Sequence, residues 1–354
     1  MAGPLRHIGK KILRHHLGLF GAIIIVIALV VSLLGNLITP DKTNNANQIN
    51  LPIALLKPMS SILFFEVPSP ESQSFFDAWW NGRKEPLRSV AIQSYRIVND
   101  TAILHLYHPE GKVLEEKLAL KSFNNFRVHT KTFVLGTDGF GRDLLSRVIM
   151  GTRVSLSVGL VAVFISLLIG TTLGLMAGYF RGMTDSVISW FINVIWSLPT
   201  MLLVVAISFA MGKGFWQIFI AIGLSTWVEV ARVVRGQVFS IREKEYIQAA
   251  RVLGFGPFRI MFRHILPNLK SSLIVLSISI FGSAILLESG LSFLGLGIAP
   301  PAPSWGMMIK ENFGYIMFDS AYLAIVPGLA IMLLVMAFNF VGIALRDALD
   351  IHLQ

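Results

Sequence analysis

Long apolar runs separated by polar segments dominate this sequence. Each run approaches the length of a membrane-crossing helix, in which roughly 20 apolar residues span about 30 Å of hydrocarbon. The six runs are Leu17–Ile38, Val154–Tyr179, Val187–Met211, Phe215–Val230, Leu273–Ile298 and Tyr322–Leu345. The pattern therefore predicts an all-α polytopic membrane protein with six transmembrane helices.

The polar segment between the first two runs, residues 40–134, has a different pattern. Val90–Val98 and Thr101–Tyr107 have the composition of strands, and the Asn-Asp pair between them is typical of a turn. Lys112–Leu120 continues as a third strand after a second turn. The segment is predicted to be a water-facing insertion that contains a small β meander.

Composition and charge favour a membrane protein and exclude several other classes. Of the 354 residues, 54% are hydrophobic and 14% are charged, whereas soluble domains carry about 25% charged residues. The sequence contains no cysteine, which excludes disulfides, thiolate metal sites and a cysteine nucleophile. The formal net charge is +10, but the cations gather at the ends of apolar runs, so nucleic acid is not an expected partner.

The positions of the cations predict the orientation in the membrane. The basic leader holds Arg6, Lys10, Lys11 and Arg14. We expect an uncleaved anchor with a cytoplasmic N-terminus, and a cleaved signal peptide is the alternative. Six crossings return the C-terminus to the cytoplasm, and the predicted cytoplasmic segments then hold Arg181, Arg232, Arg235, Arg242, Lys244, Arg251, Arg259, Arg263, Lys270 and Arg346. The exceptions, just outside the second run, are Arg142, Arg147 and Arg153.

The most informative segment is the predicted cytoplasmic loop at residues 240–268. A short helix there ends near Gly254, which suits the left-handed position after a helix. Pro257 suits the first turn of a second helix. Ala249 and Ala250 present small side chains that permit close approach of another protein. The loop therefore fits a docking element, but taken alone these residues favour the alternative, an ordinary solvated helical loop.

These residues resemble the EAA loop of ATP-binding-cassette importer permeases. Gln248-Ala249-Ala250, Gly254 and Leu266-Pro267 match that loop, most closely in the branch that transports dipeptides, oligopeptides or nickel. Further matches to the branch follow in the expected order at residues 135–147, 291–306 and 346–350. The chain is similar to the C-type permease of a peptide importer.

The resemblance implies the type I importer permease fold in three parts. Residues 1–39 are the basic leader and first transmembrane helix, 40–134 the extracytoplasmic insertion, and 135–350 the permease core. In the family the loop couples the permease to an ATPase, and the matching positions here are Tyr246, Gln248, Ala249, Ala250, Arg251, Gly254, Pro267 and Asn268. Two features depart from the family pattern, since a Gln replaces the leading Glu of the loop and the insertion is longer than usual.

The implied partners are a second permease subunit in a heterodimer, two cytoplasmic ATP-binding-cassette ATPases, an extracytoplasmic substrate-binding protein and membrane lipid. The sequence has no Gly-x-x-x-x-Gly-Lys-Ser/Thr phosphate loop, so the energy must come from such a partner. We expect a transport subunit of the cytoplasmic membrane that imports di- or oligopeptides, without catalytic residues, metal or cofactor. Nickel or another small solute is the alternative substrate. An ion-coupled transporter or an intramembrane hydrolase is disfavoured.

Four further features carry separate predictions. Glu288, within the fifth run, either lines the translocation path or makes a structural contact, and the structural contact is favoured. Pro199 predicts a kink in the third helix. A four-residue glycine spacing in the second run predicts a face for close helix approach at Gly170, Gly174 and Gly178. The insertion also contains a cluster of aromatic residues, for which a role in packing or in anchoring at the bilayer surface is favoured over ligand binding. They are Phe75, Phe76, Trp79 and Trp80.

Overall fold

The computed structural model describes residues 15–70, 73–99, 101–109, 111–112, 114–119, 125–212 and 214–350. The basic leader, the turn residues Asp100 and Glu110, and Lys213 lie outside this part. Helices α1 to α11 are His16–Ile38, Phe75–Asn81, Leu144–Phe180, Gly182–Trp196, Thr200–Met211, Phe215–Arg242, Glu245–Val252, Pro257–Ile260, Leu266–Phe293, Trp305–Asn312 and Tyr322–Asp350. Strands β1 to β5 are Ser60–Val67, Arg88–Val98, Thr101–Leu106, Leu114–Ala119 and Arg127–Phe133.

Within the described residues, five helices are long and apolar enough to cross a membrane. They are α1, α3, α6, α11 and the continuous helix formed by α8 and α9. The consecutive helices α4 and α5 make a sixth candidate, but they meet at a bend of 97°. Pro199 stands at the start of α5, where it lacks the N–H needed to continue α4. The predicted kink is therefore confirmed, and it divides the predicted third span.

Helix α3 is longer than the predicted second span. It starts at Leu144 rather than Val154 and runs for 37 residues, which is about 55 Å at about 1.5 Å per residue. This length exceeds the hydrocarbon thickness of about 30 Å, so part of the helix extends beyond the membrane. Arg147 and Arg153 therefore lie within the helix, which corrects the boundary predicted from the sequence.

The described residues belong to two compact units that interleave along the chain. Among the described residues, one unit draws on the ranges 15–28, 155–299 and 331–350, and the other on 29–154 and 300–330. The first unit is helical, and the second holds the strands together with α2 and α10. Each unit therefore joins segments that are far apart in the sequence.

The second unit contains an antiparallel five-stranded sheet in the order β4-β3-β2-β1-β5. The middle strands of the sequence, β2 to β4, correspond to the predicted meander, whereas β1 and β5 are additional. Ile62 and Phe64 of β1 pack into one apolar cluster, and Phe65 and Val67 pack into another. Because both faces of β1 are covered, its sequence lacks the alternation that identifies a strand with one solvent-facing side.

Helices α3 and α6 of the first unit pack closely along a row of glycines. A Cβ atom added at Gly170 would lie 2.5 Å from the carbonyl oxygen of Trp227. One added at Gly174 would lie 2.7 Å from the carbonyl oxygen of Ala231, and Gly178 meets α6 in the same way. Only glycine permits the backbones to approach this closely, so the predicted packing face is confirmed.

Candidate functional site

The loop at residues 240–268, here called the elbow, folds as two helices joined by a glycine turn. After α7, Gly254 adopts a left-handed conformation with φ of 76°. Its N–H donates to the carbonyl oxygen of Arg251 at 2.9 Å. The N–H of Phe255 donates to the carbonyl oxygen of Ala250 at 3.1 Å. These two bonds form a Schellman motif, which confirms that the glycine ends the helix.

A π-helical turn joins the second helix of the elbow to α9. Pro257 stands in the first turn of α8, and the chain continues through the π turn Met261–Ile265. Pro267 follows in the first turn of α9. Proline has no N–H and its ring displaces the carbonyl group one turn earlier, and the wider π turn accommodates both effects. Asn268 Nδ2 donates to the carbonyl oxygen of His264 at 2.6 Å, which satisfies a carbonyl group beside the proline.

The inner face of α7 is packed into the core of the first unit. Ile247 is 0% exposed and Ala250 is 3% exposed, and both join an apolar cluster with residues of α3, α6 and α9. At the start of the elbow, Arg181 and Glu243 form an ion pair at 2.6 Å. The elbow is therefore attached rigidly to the helices of this unit.

Two polar residues of α7 point away from that core. Gln248 Nε2 donates to the carbonyl oxygen of Glu243 at 3.1 Å, a bond that an ionised Glu could not donate. The departure from the family's Glu thus adds a local contact at the start of the helix. Partial burial raises the pKa of Tyr246 above its usual value. Like any tyrosine below its pKa, it can donate a hydrogen bond through its hydroxyl.

The outer face of the elbow exposes large apolar side chains. Val252 is 88% exposed, Leu253 is 72% exposed and Phe258 is 66% exposed, and none of them is among the predicted coupling residues. The predicted residues that are exposed are Tyr246, Gln248, Ala249, Gly254, Pro267 and Asn268, and Arg251 is partly exposed. Because Ala250 faces inward, the predicted small-residue patch is reduced to Ala249. A helix as short as α7 shows too few turns for the sequence to indicate which side faces the core.

Helix α9 ends in a second glycine turn of the same kind. Gly295 has φ of 81°, and its N–H donates to the carbonyl oxygen of Ser292 at 2.9 Å. The N–H of Leu296 donates to the carbonyl oxygen of Leu291, also at 2.9 Å. The helix therefore ends before the end of the predicted fifth span, because this Schellman motif stops it.

Glu288 is fully buried beside this second turn, with 0% exposure. Ser292 Oγ donates to Oε1 of Glu288 at 2.6 Å. The N–H of Ile298 in turn donates to Ser292 Oγ at 3.4 Å. A carboxylate held in such a local network favours the structural contact over a place on the translocation path. A role of Glu288 in translocation stays a prediction.

In the second unit, Arg142 and Arg147 are buried between two carboxylates. Arg142 Nε lies 2.7 Å from Oδ2 of Asp138, and its Nη2 lies 2.7 Å from Oε2 of Glu311. Arg147 reaches the same carboxylates at 3.8 Å and 3.5 Å. The positions of both arginines thus follow from the tertiary contacts of this unit, which accounts for their departure from the orientation pattern.

Comparisons with known proteins agree with this architecture. Residues 170–353 match the family described as binding-protein-dependent transport system inner membrane component. The chain is 43% identical over 220 residues to a glutathione transport system permease protein of Pectobacterium atrosepticum, covering 62% of this chain and 73% of that protein. It is 35% identical over 278 residues to a dipeptide transport system permease protein of Bacillus subtilis, covering 78% and 86%.

A third relative is a dipeptide transport system permease protein of Alkalihalophilus pseudofirmus, 43% identical over 215 residues, with 61% of this chain and 70% of that protein covered. A solved structure of the MetNI methionine ABC transporter is also similar, with a TM-score of 0.49 and 19% identity, covering 58% of this chain and 97% of that chain.

Together these observations define a polytopic transport protein with the type I ABC importer permease fold. The chain belongs to the family of binding-protein-dependent transport system inner membrane components. It is a transport subunit of the inner membrane, and the resemblance predicted from the elbow motif is confirmed.

Proposed function

We propose that this chain is the permease subunit of an ATP-driven importer of short peptides. With a second, different permease it forms the translocation path, two cytoplasmic ATP-binding-cassette ATPases supply the energy, and an extracytoplasmic binding protein delivers the substrate. The names of the relatives support this substrate class, because they refer to dipeptides and to glutathione, which are short peptides. Hydrolysis of ATP belongs to the partners and not to this chain.

The contrast between the two faces of the elbow supports its proposed role in coupling the permease to the ATPase. The inner face is buried through Ile247 and Ala250, and the outer face exposes Val252, Leu253 and Phe258. Exposed apolar clusters mark interaction sites, and a short helix with such a face fits a groove on a partner. Because the inner face is packed rigidly, a movement of the docked ATPase is transmitted to the helices of the bundle.

In the proposed topology both termini are cytoplasmic, and residues 40–134 are an extracytoplasmic insertion. The concentration of Lys and Arg in and around the elbow supports this orientation, because cytoplasmic loops retain positive residues. The elbow is then on the same side of the membrane as ATP.

The test uses the complete transporter, purified with its partners and reconstituted in liposomes with the binding protein. The variant Val252→Ser/Phe258→Ser removes apolar contact from the elbow, and Ile97→Ser/Leu114→Ser makes the same change on exposed positions of the sheet. Burying each side chain contributes about 1.5–3 kcal/mol, so we expect docking of the ATPase at least about tenfold weaker in the elbow variant. Peptide-stimulated ATP hydrolysis and uptake should fall with it, while the sheet variant should behave like the wild type.

Three outcomes contradict the proposal. Transport by the chain alone excludes an ATPase partner. Normal peptide-stimulated hydrolysis and uptake in the elbow variant excludes the coupling role. Uptake of nickel ions without uptake of a labelled dipeptide excludes the peptide substrate and leaves the transporter class intact.

A further inference from the structure

The short helix α2 is attached to the end of the first membrane helix. Trp79 Nε1 donates to the carbonyl oxygen of Leu33 at 2.8 Å. Asn36 Nδ2 donates to the carbonyl oxygens of Trp79 and Trp80, both at 2.9 Å. Leu33 lies in the last two turns of α1. The 23 residues of α1 are about 35 Å long, slightly more than the hydrocarbon thickness of about 30 Å, so its last turns reach the membrane surface. Helix α2 therefore lies at the level of the membrane–water interface.

The exposed side of α2 is aromatic. Phe75 is 66% exposed, Phe76 is 73% exposed and Trp80 is 57% exposed. Aromatic residues are enriched at membrane interfaces, where the ring meets the acyl chains and the headgroup region. The guanidinium of Arg153 lies 4.7 Å from the centre of the Trp80 ring. It also donates to the backbone carbonyl oxygen of Trp80 at 2.8 Å, and these two contacts fix this end of α2.

A basic cavity begins at the same helix. It has a volume of about 520 Å³ and is lined by Phe75 and Ala78 of α2 together with Arg83, Lys84 and Arg127. A neighbouring cavity of about 190 Å³ shares part of this lining and adds further cations. The Lys and Arg residues of the two linings are Lys42, Arg83, Lys84, Arg127 and Lys131.

The carboxylates that line the cavities, Asp41 and Glu66, are fewer, and each has a partner within the protein. Asp41 accepts hydrogen bonds from the N–H groups of Thr43 and Gln48 at 3.0 Å and 3.2 Å. Glu66 faces His129 Nδ1 at 3.7 Å. Two carboxylates thus stand against five Lys or Arg residues in the linings, which leaves an excess of positive charge.

A third carboxylate, Asp77, lies outside both linings and helps to shape the cavity. It accepts a hydrogen bond from Asn81 at 2.7 Å and another from Gln73 at 2.8 Å. Gln73 also donates to the carbonyl oxygen of Gly82 at 2.8 Å and accepts from the N–H of Lys84 at 3.1 Å. The loop that carries the cations is therefore held in place by α2.

We propose that this cavity binds the phosphate of an anionic phospholipid from the leaflet that the C-terminal end of α1 reaches. Arg83 and Arg127 would hold the phosphate oxygens, because guanidinium groups bind phosphate through paired hydrogen bonds. The acyl chains would run beside Phe75 and Phe76. A lipid fits better than a soluble anion because Phe75, on the exposed aromatic side of α2, lines the same cavity as the cations. The bound lipid would hold the insertion against the membrane surface.

The test places the purified full-length chain in nanodiscs that contain a trace of photoactivatable phosphatidylglycerol or photoactivatable phosphatidylcholine. Crosslinked lipid is counted per chain and mapped by mass spectrometry. The variant Arg83→Gln/Arg127→Gln is compared with Arg96→Gln/Lys117→Gln, which removes the same charge from exposed positions of β2 and β4 outside both linings. Each cation near an anionic surface strengthens binding about fivefold. We expect crosslinking of phosphatidylglycerol near the cavity to fall up to about 30-fold in the first variant and to stay unchanged in the second.

Several results would overturn the proposal. If the two lipids crosslink equally and Arg83→Gln/Arg127→Gln has no effect, the cavity does not select anionic lipid, and α2 contacts the membrane only through its apolar side chains. Loss of the phosphatidylglycerol signal on addition of inorganic phosphate at millimolar concentration would indicate a site for a soluble anion. Crosslinking of the binding protein at this cavity in place of lipid would indicate a protein contact. Because both arginines are exposed, the unfolding temperature of each variant should match that of the wild type, and this measurement separates lost binding from lost folding.

Discussion

Arg142 and Glu311, separated by 169 positions in the sequence, form a charge-assisted hydrogen bond of 2.7 Å between Nη2 and Oε2. The side chain of Arg142 is 5% exposed and that of Glu311 is 18% exposed. The bond joins the segment that leads into α3 to helix α10 within one unit. Two buried arginines share two carboxylates there, so loss of one carboxylate leaves excess positive charge in a poorly solvated place.

We predict that Glu311→Gln lowers the free energy of unfolding by about 2 kcal/mol. Breaking a fully buried pair costs about 3–5 kcal/mol, and the partial exposure of Glu311 reduces this cost through solvent screening. Thermal unfolding of the purified chain in detergent measures the change. Glu115→Gln is the control, since its carboxylate is 53% exposed beside His105 and should have little effect. Equal stability of both variants would show that the buried cluster contributes nothing to folding.

The glycine row between α3 and α6 predicts a steric effect of one added side chain. Gly174→Val would place Cβ 2.7 Å from the Ala231 carbonyl oxygen, so the helices must separate. Overpacking of this kind costs about 1–3 kcal/mol. Gly236→Ala, on α6, has no atom within 4 Å of its new Cβ and should be neutral or slightly stabilising. Unfolding temperatures of the two variants distinguish them, and a neutral Gly174→Val would show that the helices do not need this approach.

The glycine turn of the elbow predicts a conformational effect without a steric one. At Gly254 a new Cβ would meet no atom within 4 Å, but φ is 76°, where a residue with Cβ costs about 1–2 kcal/mol. Gly254→Ala should therefore loosen the elbow and reduce peptide-stimulated ATP hydrolysis by the assembled transporter. Gly254→Val should reduce it further.

The matched control for this turn is Gly256→Ala. Gly256 also has open space around its Cβ position, but its φ is −64°, which any residue adopts. Stimulated hydrolysis should be unchanged in this variant. If both alanine variants behave like the wild type, the shape of the elbow does not govern coupling.

The buried carboxylate of α9 predicts a change in stability rather than in substrate choice. Glu288→Gln keeps the size of the side chain but replaces one carboxyl oxygen with an NH2 group, which disturbs the hydrogen bonding around Ser292. We therefore expect lower thermal stability by about 1 kcal/mol. Competition between labelled dipeptides of different charge should give the same selectivity as the wild type. An altered preference for peptides with unchanged stability would instead assign Glu288 to the translocation path.

Local rules predicted the features that depend on a few neighbouring residues. Gly254 ends a helix and Pro199 breaks one because their backbone restrictions act wherever they occur. The glycine spacing of α3 indicated its packing face for a similar reason. By contrast, β1 was missed because both of its faces are buried, and β5 because its alternation is interrupted by charged residues.

The residues that complete the elbow could not be predicted in the same way. Val252 and Phe258 look like ordinary apolar residues of short helices, and only the packing of Ile247 against the core shows that they face outward. The basic cavity of the insertion likewise combines Arg83, in the loop that leads into β2, with Arg127, at the start of β5. These segments are distant in the sequence and come together because β1 pairs with both β2 and β5.

The sequence by itself determined the family and the position of the elbow. It also determined the number of apolar crossings, apart from the bent pair α4 and α5. These features depend on run length, composition and short-range conformational preference, which act along the chain. Only the tertiary structure decided which side of the elbow is exposed, where α3 begins, and that Arg142 contacts Glu311. Such contacts join distant segments, and their free energy depends on burial and distance, which exist only once the chain has folded.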